Sequence, residues 1–352
     1  MTDPAQQFAD AIRAAADAKR PLNICGSGSK SFYGSSVSGE PLDVSGYRGI
    51  LSYEPTELVI TARAGTPLAE IEAAMRDKGQ MLGFEPPHFG TAGTLGGCIA
   101  AGLSGPRRPY AGSVRDFVLG IRLLDGRGTD LNFGGQVMKN VAGYDVSRLI
   151  TGSMGTLGVI LEASLKALPL PPAETTLCRE QTQAEALSLM TEWAGKPLPI
   201  TATCHVDGRL YVRLAGATPA VHSASAKIGG ETVTDGVTFW QNLRDQRHAF
   251  FSGDAPLWRL SLQSTAPELQ LPGNQLIEWG GALRWLRSDA DAMSIRKTAR
   301  GHDGHATRFR GGDVRTGAFH PLPSAMLKLH KRVKLAMDPA GILNPGRLYP
   351  EF

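Results

Sequence analysis

The sequence predicts an α+β fold, and three observations carry that prediction. Through residue 165, short apolar runs alternate with helical patterns, but the runs are too brief and too broken by glycine for one plain parallel sheet. Glycine is in excess at 42 of 352 residues, roughly 12 % against the usual ~7 %, and the excess sits in the first half rather than in a repeat. A stiff segment, Leu168-Pro-Leu-Pro-Pro172, then marks a domain boundary, beyond which the composition shifts to hydrophilic helix and alternating strand.

Taken in order, Asp3 is placed to cap a helix over residues 4–19, with Phe8, Ile12 and Ala15 at helical spacing. A strand over 22–25 runs into the donor-rich loop Gly26-Ser27-Gly28-Ser29-Lys30-Ser31. Residues 42–44, 50–53 and 58–62 read as strands, and Thr66-Pro67 as a helix start with Thr66 the cap, leading to Lys78 and closed by Gly79. A strand over 116–124, the tight turn Asp125-Gly126-Arg127-Gly128 and a partner over 129–133 form a hairpin. A short helix begins at Asp145, and a strand follows over 158–165. Beyond the boundary come a helix over 183–194, a strand over 209–214 and, in the tail, a helix over 325–336.

Bulk properties exclude several classes. A net charge of +4 with both signs interspersed gives no basic stripe for nucleic acid. Cys25, Cys98, Cys178 and Cys204 are far apart and form no Cys-x-x-Cys, so iron–sulfur ligation by this chain is not expected, and a reducing cytoplasm is. No secretory leader opens the sequence, and no run approaches the ~18 apolar residues of a membrane span.

The strongest local signal is glycine at turns between Glu85 and Ile160. It includes Gly93-Thr-Leu-Gly-Gly-Cys-Ile-Ala-Ala-Gly102 and Gly152-Ser-Met-Gly-Thr-Leu-Gly-Val-Ile160. Such runs let backbone N–H groups approach an anion. Two common phosphate motifs fail on the earlier loop. A P-loop needs glycine directly before Lys30, where Ser29 stands, and the Rossmann fingerprint needs a third glycine where Ser31 stands.

The pairing of Cys25-Gly-Ser-Gly-Ser-Lys30 with Gly93–Gly102, followed by Asn140-Val-Ala-Gly-Tyr-Asp145 and Gly155-Thr-Leu-Gly-Val-Ile160, resembles the FAD-binding domain of the vanillyl-alcohol oxidase / p-cresol methylhydroxylase (PCMH) superfamily. The resemblance implies a PCMH-type domain of two α/β lobes over 1–172, an α+β cap domain over 173–287 and a C-terminal segment, 288–352, returning to the FAD site. It implies FAD contacts from Gly26, Ser27, Gly28, Ser29 and Lys30 in the first loop. Pro87, Gly90, Thr91, Gly93, Thr94, Gly96, Gly97 and Ala100 follow in the second loop, then Ser104 and Gly105. The later stretches contribute Val141, Gly143, Tyr144, Asp145, Gly155, Gly158, Val159 and Ile160. The histidine that carries covalent flavin in some members is replaced by Ser29 or its neighbour, so FAD is expected to be non-covalent.

Phe84-Glu-Pro-Pro-His-Phe-Gly90, Gly102-Leu-Ser-Gly-Pro-Arg-Arg108 and Asp338-Pro-Ala-Gly-Ile-Leu-Asn-Pro-Gly-Arg-Leu-Tyr349 narrow the resemblance to the E-subunit family of bacterial glycolate oxidases. Those enzymes oxidise glycolate to glyoxylate in a complex of two FAD-binding subunits and one iron–sulfur subunit. The resemblance therefore implies such partners, a short 2-hydroxy acid as substrate, and a cytoplasmic location, peripheral to the inner membrane through the complex. Alternatives are a structural or electron-transfer flavin subunit, or a stand-alone 2-hydroxyacid oxidoreductase.

Several side chains keep two readings. Lys30 is a pyrophosphate partner or a solvated loop-end lysine. His88, between Pro87 and Phe89, is catalytic or fixes a turn. Arg107, beside Arg108, binds an anion or belongs to a solvated charge pair. Arg347 either returns as a cation to the flavin's pyrimidine edge or serves a terminal turn. Asp116 and Asp145 read as caps. Catalytic members carry Gly-His-x-Gly-Asp-Gly-Asn-x-His; here Gly301-His-Asp-Gly-His305 puts His305 where the acid would fall. With His302, His305 and His320 lacking that ligand set, no metal is expected.

Overall fold

Asp3 does cap the first helix, Pro4–Asp17, its carboxylate accepting from Ala5 N at 3.1 Å while proline occupies the first helical turn. The computed structural model describes residues 3–135 and 145–352. They divide into two units: 1–104, 113–169 and 321–352 form the first, and 105–112 with 170–320 the second.

In the first unit, Ala5, Ala9, Ile12 and Ala15 of the opening helix pack on Leu22 and Leu42, one from each strand of a parallel pair, β1 (Leu22–Cys25) and β2 (Glu40–Asp43). A separate antiparallel sheet has the order β3-β4-β8-β6-β7, from β3 (Ile50–Glu54), β4 (Val59–Arg63), β6 (Val118–Leu124), β7 (Asp130–Gly134) and β8 (Val159–Lys166). The short strands β5 (Gln80–Met81) and β9 (Leu168–Pro169) pair apart from it. The hairpin turn at Asp125 reverses the chain between β6 and β7, which pair antiparallel in the five-stranded sheet. Asp125 Oδ1 accepts from both Arg127 N and Thr129 N, at 2.9 Å each.

Two local expectations are corrected. Residues 114–117 form a helical turn, Val114–Phe117, with β6 starting only at Val118, because Ser113 and Asp116 close a capping box. Thr66 does not cap the helix Leu68–Arg76; its hydroxyl instead bonds the Gly49 backbone, accepting from N at 2.8 Å and donating to O at 3.2 Å.

The second unit is built on one eight-stranded antiparallel sheet, β13-β10-β12-β11-β15-β16-β14-β17. Its strands are β10 (Ala173–Glu180), β11 (Ile200–Val206), β12 (Arg209–Gly216), β13 (Glu231–Thr232), β14 (Leu257–Ser261), β15 (Asn274–Glu278), β16 (Leu283–Arg287) and β17 (His305–Arg310). The first four are joined as β-α-β-β-α-β through helices Gln183–Ala194 and Thr218–Ile228, the split arrangement of ferredoxin-like folds. The last four repeat the same spatial order read from the opposite edge, with helix Ala292–Gly301 as second crossover. In place of the first crossover helix, Ala266, Leu269 and Leu271 of a loop fill the core beneath Trp258 and Leu286. Residues 288–352, anticipated as one segment, are therefore divided. His305–Arg310 is an edge strand on β14, and only 321–352 belong to the first unit.

That terminal stretch is tied to β1. Leu22 bridges Leu343 in parallel, with Leu22 N donating to Ile342 O at 2.8 Å and Asn344 N to Leu22 O at 3.1 Å. The turn before it is organised by Lys334, at the end of helix Ser324–Met337, whose Nζ donates to Thr156 O (2.8 Å), Leu343 O (2.7 Å) and Asp338 Oδ2 (2.6 Å). The two charged side chains are 6 % and 0 % exposed. Burial pulls the Lys334 ammonium below its usual value, with Asp338 opposing that shift. Substituting Lys334→Met leaves Asp338 buried beside backbone donors but without its cation. The expected loss is about 3–5 kcal/mol, read from urea unfolding of the whole chain.

Candidate functional site

A cavity of about 300 Å³ in the first unit lies where the loop after β1, the helix Leu95–Ala101 and the terminal segment meet. The early loop and the later glycine run were expected to cooperate, and they adjoin here. A Cβ at Gly26 would stand 2.8 Å from Thr94 Oγ1, so only glycine admits this approach without a shift. Thr94 in turn caps its helix, accepting from Gly97 N at 3.3 Å.

Gly26, Ser27, Gly28, Ser29, Lys30, Thr94, Gly97, Ala100 and Arg347 all line the cavity, and among the described residues no Asp or Glu does. Lys30 is buried, its Nζ 3.4 Å from Ser29 Oγ and 5.8 Å from the Phe89 ring centroid. Arg347 holds the loop, donating to Ser35 O at 2.8 Å, Lys30 O at 3.2 Å and Ser31 O at 3.3 Å. Burial lowers the pKa of its guanidinium from the ordinary value. Asn344, not singled out from the sequence, is the node beside it. Its Oδ1 accepts from Ile24 N and its Nδ2 donates to Met154 O, both at 2.7 Å. The Asn-Pro-Gly-Arg run was its one sequence signal. Cys25, also lining the cavity, has its thiol pushed up by burial and then by Asp43.

Other anticipated residues stand elsewhere. His88 meets Glu72, Nε2 to Oε2 at 3.1 Å. Pro87 is buried, whereas Gly90 and Thr91 are exposed. Gly93 O accepts from Leu68 N at 2.8 Å, and Gly96 packs against Ala64. Ser104 Oγ accepts from Val114 N at 3.0 Å. Asp145 caps helix Val146–Ile150. Gly155 is pressed by the Asn344 amide and Gly158 by Leu123, while the Val159 and Ile160 side chains are buried in β8. Val141, Gly143 and Tyr144 lie outside the described residues.

In the second unit, Gly105 O accepts from Trp279 Nε1 at 3.0 Å. Arg107 is buried and paired to Glu174 at 3.2 Å, while Arg108 and Arg259 lie over the Trp279 ring, 4.4 and 5.1 Å from its centroid. His302, His305 and His320 do not assemble a metal centre: among the described residues, no group of three or more His, Cys, Asp or Glu could hold an ion.

Two glycine-bearing loops converging on a cation-lined cavity give this unit the character of an anion-accepting, nucleotide-binding domain. The FAD binding domain family matches residues 3–134. Across 350 residues, 99 % of each chain, the protein is 52 % identical to glycolate oxidase subunit GlcE of Escherichia coli. It belongs to that family of oxidoreductase subunits, and its cofactor is FAD. Glycolate oxidase subunit GlcD of Bacillus subtilis is 33 % identical over 154 residues, 43 % of this chain and 33 % of that one. Alkyldihydroxyacetonephosphate synthase shares the fold, with a TM-score of 0.66 at 14 % identity over 97 % of this chain and 74 % of that one. No helix among the described residues is long and apolar enough to cross a membrane.

Substituting Gly26→Val drives a branched side chain into Thr94. The purified variant is expected to lose most of its flavin absorbance, with FAD affinity down tenfold or more, about 1.4 kcal/mol, while its circular dichroism is retained.

A second expectation concerns pH. Burial, then Arg300, then Arg296 hold the His320 imidazole below its ordinary 6.5. Its Nδ1 accepts from Ala306 N at 3.3 Å, which needs an unprotonated nitrogen. The unfolded chain therefore takes up this proton first as pH falls. The contribution to stability is full above about 6.5 and is lost as pH drops through the folded value. His320→Asn is expected to flatten the decline in urea midpoint between neutral and mildly acidic pH.

Proposed function

We propose that this chain is the FAD-carrying subunit of a complex that oxidises glycolate, or a similar short 2-hydroxy acid, and passes the electrons to an iron–sulfur partner. The observation that carries the reading is the cavity itself. Lys30 and Arg347 line it together with the glycine- and serine-rich backbone of residues 26–31, a set of donors and cations that suits a diphosphate. The near full-length likeness to a glycolate oxidase subunit supplies the substrate class. The free cysteines Cys25, Cys98, Cys178 and Cys204 stand apart, which favours an electron relay on another chain.

In this reading the first loop, Thr94 and Gly97 bind the cofactor's phosphates, Arg347 and Asn344 hold that loop in place, and attachment is non-covalent because Ser29 or its neighbour stands where the linking histidine would be. Bound FAD supplies the two-electron acceptor. His88, steadied through Nε2 by Glu72, is the candidate to take the substrate's hydroxyl proton. Arg107, whose charge is met by Glu174, is a positioning residue of the second unit rather than a carboxylate binder.

One observation favours a second reading, an electron-transfer subunit whose sister chain performs the oxidation. The histidine motif of catalytic relatives is broken at His305, and the side chains that remain do not gather into a ligand set. Anaerobic titration of the FAD-loaded chain with glycolate separates the two. Bleaching of the flavin by the isolated chain, slowed roughly 10²-fold or more by His88→Gln, supports catalysis here. Bleaching only after a partner subunit is added supports the relay, and a chain that retains no FAD overturns both.

A further inference from the structure

We infer that the helix Ser324–Met337, with the groove beside it, is the surface on which this chain receives a partner subunit of its enzyme, and that the partner's face is acidic with apolar side chains projecting from it. The inference rests on the multi-subunit reading above. Two helices of the first unit have 14 residues each. Pro4–Asp17 buries Ala5, Ala9, Ile12 and Ala15, as an amphipathic helix on a core should. Ser324–Met337 buries only Lys334, the residue committed to Asp338. Three of its apolar side chains stay exposed instead, Met326 at 43 %, Leu329 at 51 % and Leu335 at 63 %, while Leu327, Val333 and Met337 are half-buried.

A groove of about 640 Å³ beside the helix is lined by its Leu329 and Val333 and by Leu149, itself 44 % exposed, Leu157, Leu348 and Phe352. Exposed apolar side chains such as Leu329 and Leu149 on one concavity mark an interaction site. Charge says what kind. The helix carries Lys328, His330, Lys331 and Arg332 besides Lys334, and no acid. Arg115 and Arg148 also line the groove, where Asp145, the acidic side chain among the described lining residues, is paired to Arg148 at 3.1 Å. A complementary surface must bring carboxylates, with leucine-like knobs between them. An anionic bilayer could answer the charge, but a concave socket is filled by side chains, not by a plane of lipid, so a protein chain is favoured. Membership of a family named as enzyme subunits means that such a chain exists.

The test uses the full chain, co-expressed with the other subunits of its own glycolate oxidase. The double variant Leu329→Glu/Lys331→Glu changes only exposed positions, and Met293→Glu, an apolar position exposed at 75 % in the second unit, is the control. The expected result is that the double variant keeps its FAD content and melting temperature but binds its partner at least tenfold more weakly. Wild type and Met293→Glu should assemble alike, and raised salt should weaken wild-type assembly. A photoreactive residue at position 329 should cross-link to a partner subunit. Assembly of the double variant as tight as wild type overturns the proposal, as does cross-linking only to another copy of this chain. Binding of the isolated wild type, but not the variant, to phosphatidylglycerol vesicles, with subunit assembly unchanged, assigns the face to lipid and overturns it too. If wild type itself fails to assemble, it is the multi-subunit reading that falls, and this surface with it.

Discussion

A buried ion pair, Lys334 with Asp338, sets the position of the segment that closes one side of the glycine-loop cavity. Its ammonium donates to one carboxylate and two carbonyls, and Asp338 in return accepts from Ile342 N at 3.2 Å and Leu343 N at 2.8 Å. Desolvating both charges is costly, and the attraction between them is supported because all three ammonium donors are taken and the carboxylate accepts two backbone N–H groups besides. What results is a fixed turn. It delivers Leu343 into register with Leu22, and Asn344 against Ile24 and Met154. Without that turn the loop after β1 would have no wall on one side.

Arginine serves opposite ends in the two units, and its partners decide which. Arg347 spends its donors on neutral carbonyls of the Lys30–Ser35 loop, so its charge is positioned but not cancelled. Arg107 faces Glu174, and the pair is close to neutral as a unit. A positive charge left uncompensated near a partly buried cavity acts more strongly on an anion than it would in water. The same residue type two hundred positions away is there taken up by structure.

The elements that could be read from the sequence are those governed by local chemistry. The first helix follows from Asp3 and Pro4, the helix Gln183–Ala194 from its hydrophilic, glycine-poor composition, and the turn at Asp125 from its glycines. The first loop and Thr94 were legible because close backbone approach demands glycine wherever it occurs. Arg347 was legible as a residue but not as a prop, because its role depends on carbonyls more than three hundred positions earlier. Asn344 was hidden for the same reason. Gly96, Gly158, Val159 and Ile160 carry a glycine-and-apolar pattern that packing against Ala64 and Leu123 and burial in β8 also require. Pattern alone does not separate the two uses.

The second unit shows the sharper limit. Its two halves share one strand order, yet the first crossover of the second half is an irregular loop where the first half has a helix. Ala266, Leu269 and Leu271 cover the sheet without helical spacing, so no sequence period announces the repeat. What the two halves hold in common is the need to bury one face of four strands, and a helix or an apolar loop satisfies it equally. Architecture of this kind is set by coverage rather than by motif. The first unit keeps recognisable loops because a close approach such as Gly26 to Thr94 constrains them atom by atom, whereas packing constrains only volume and polarity.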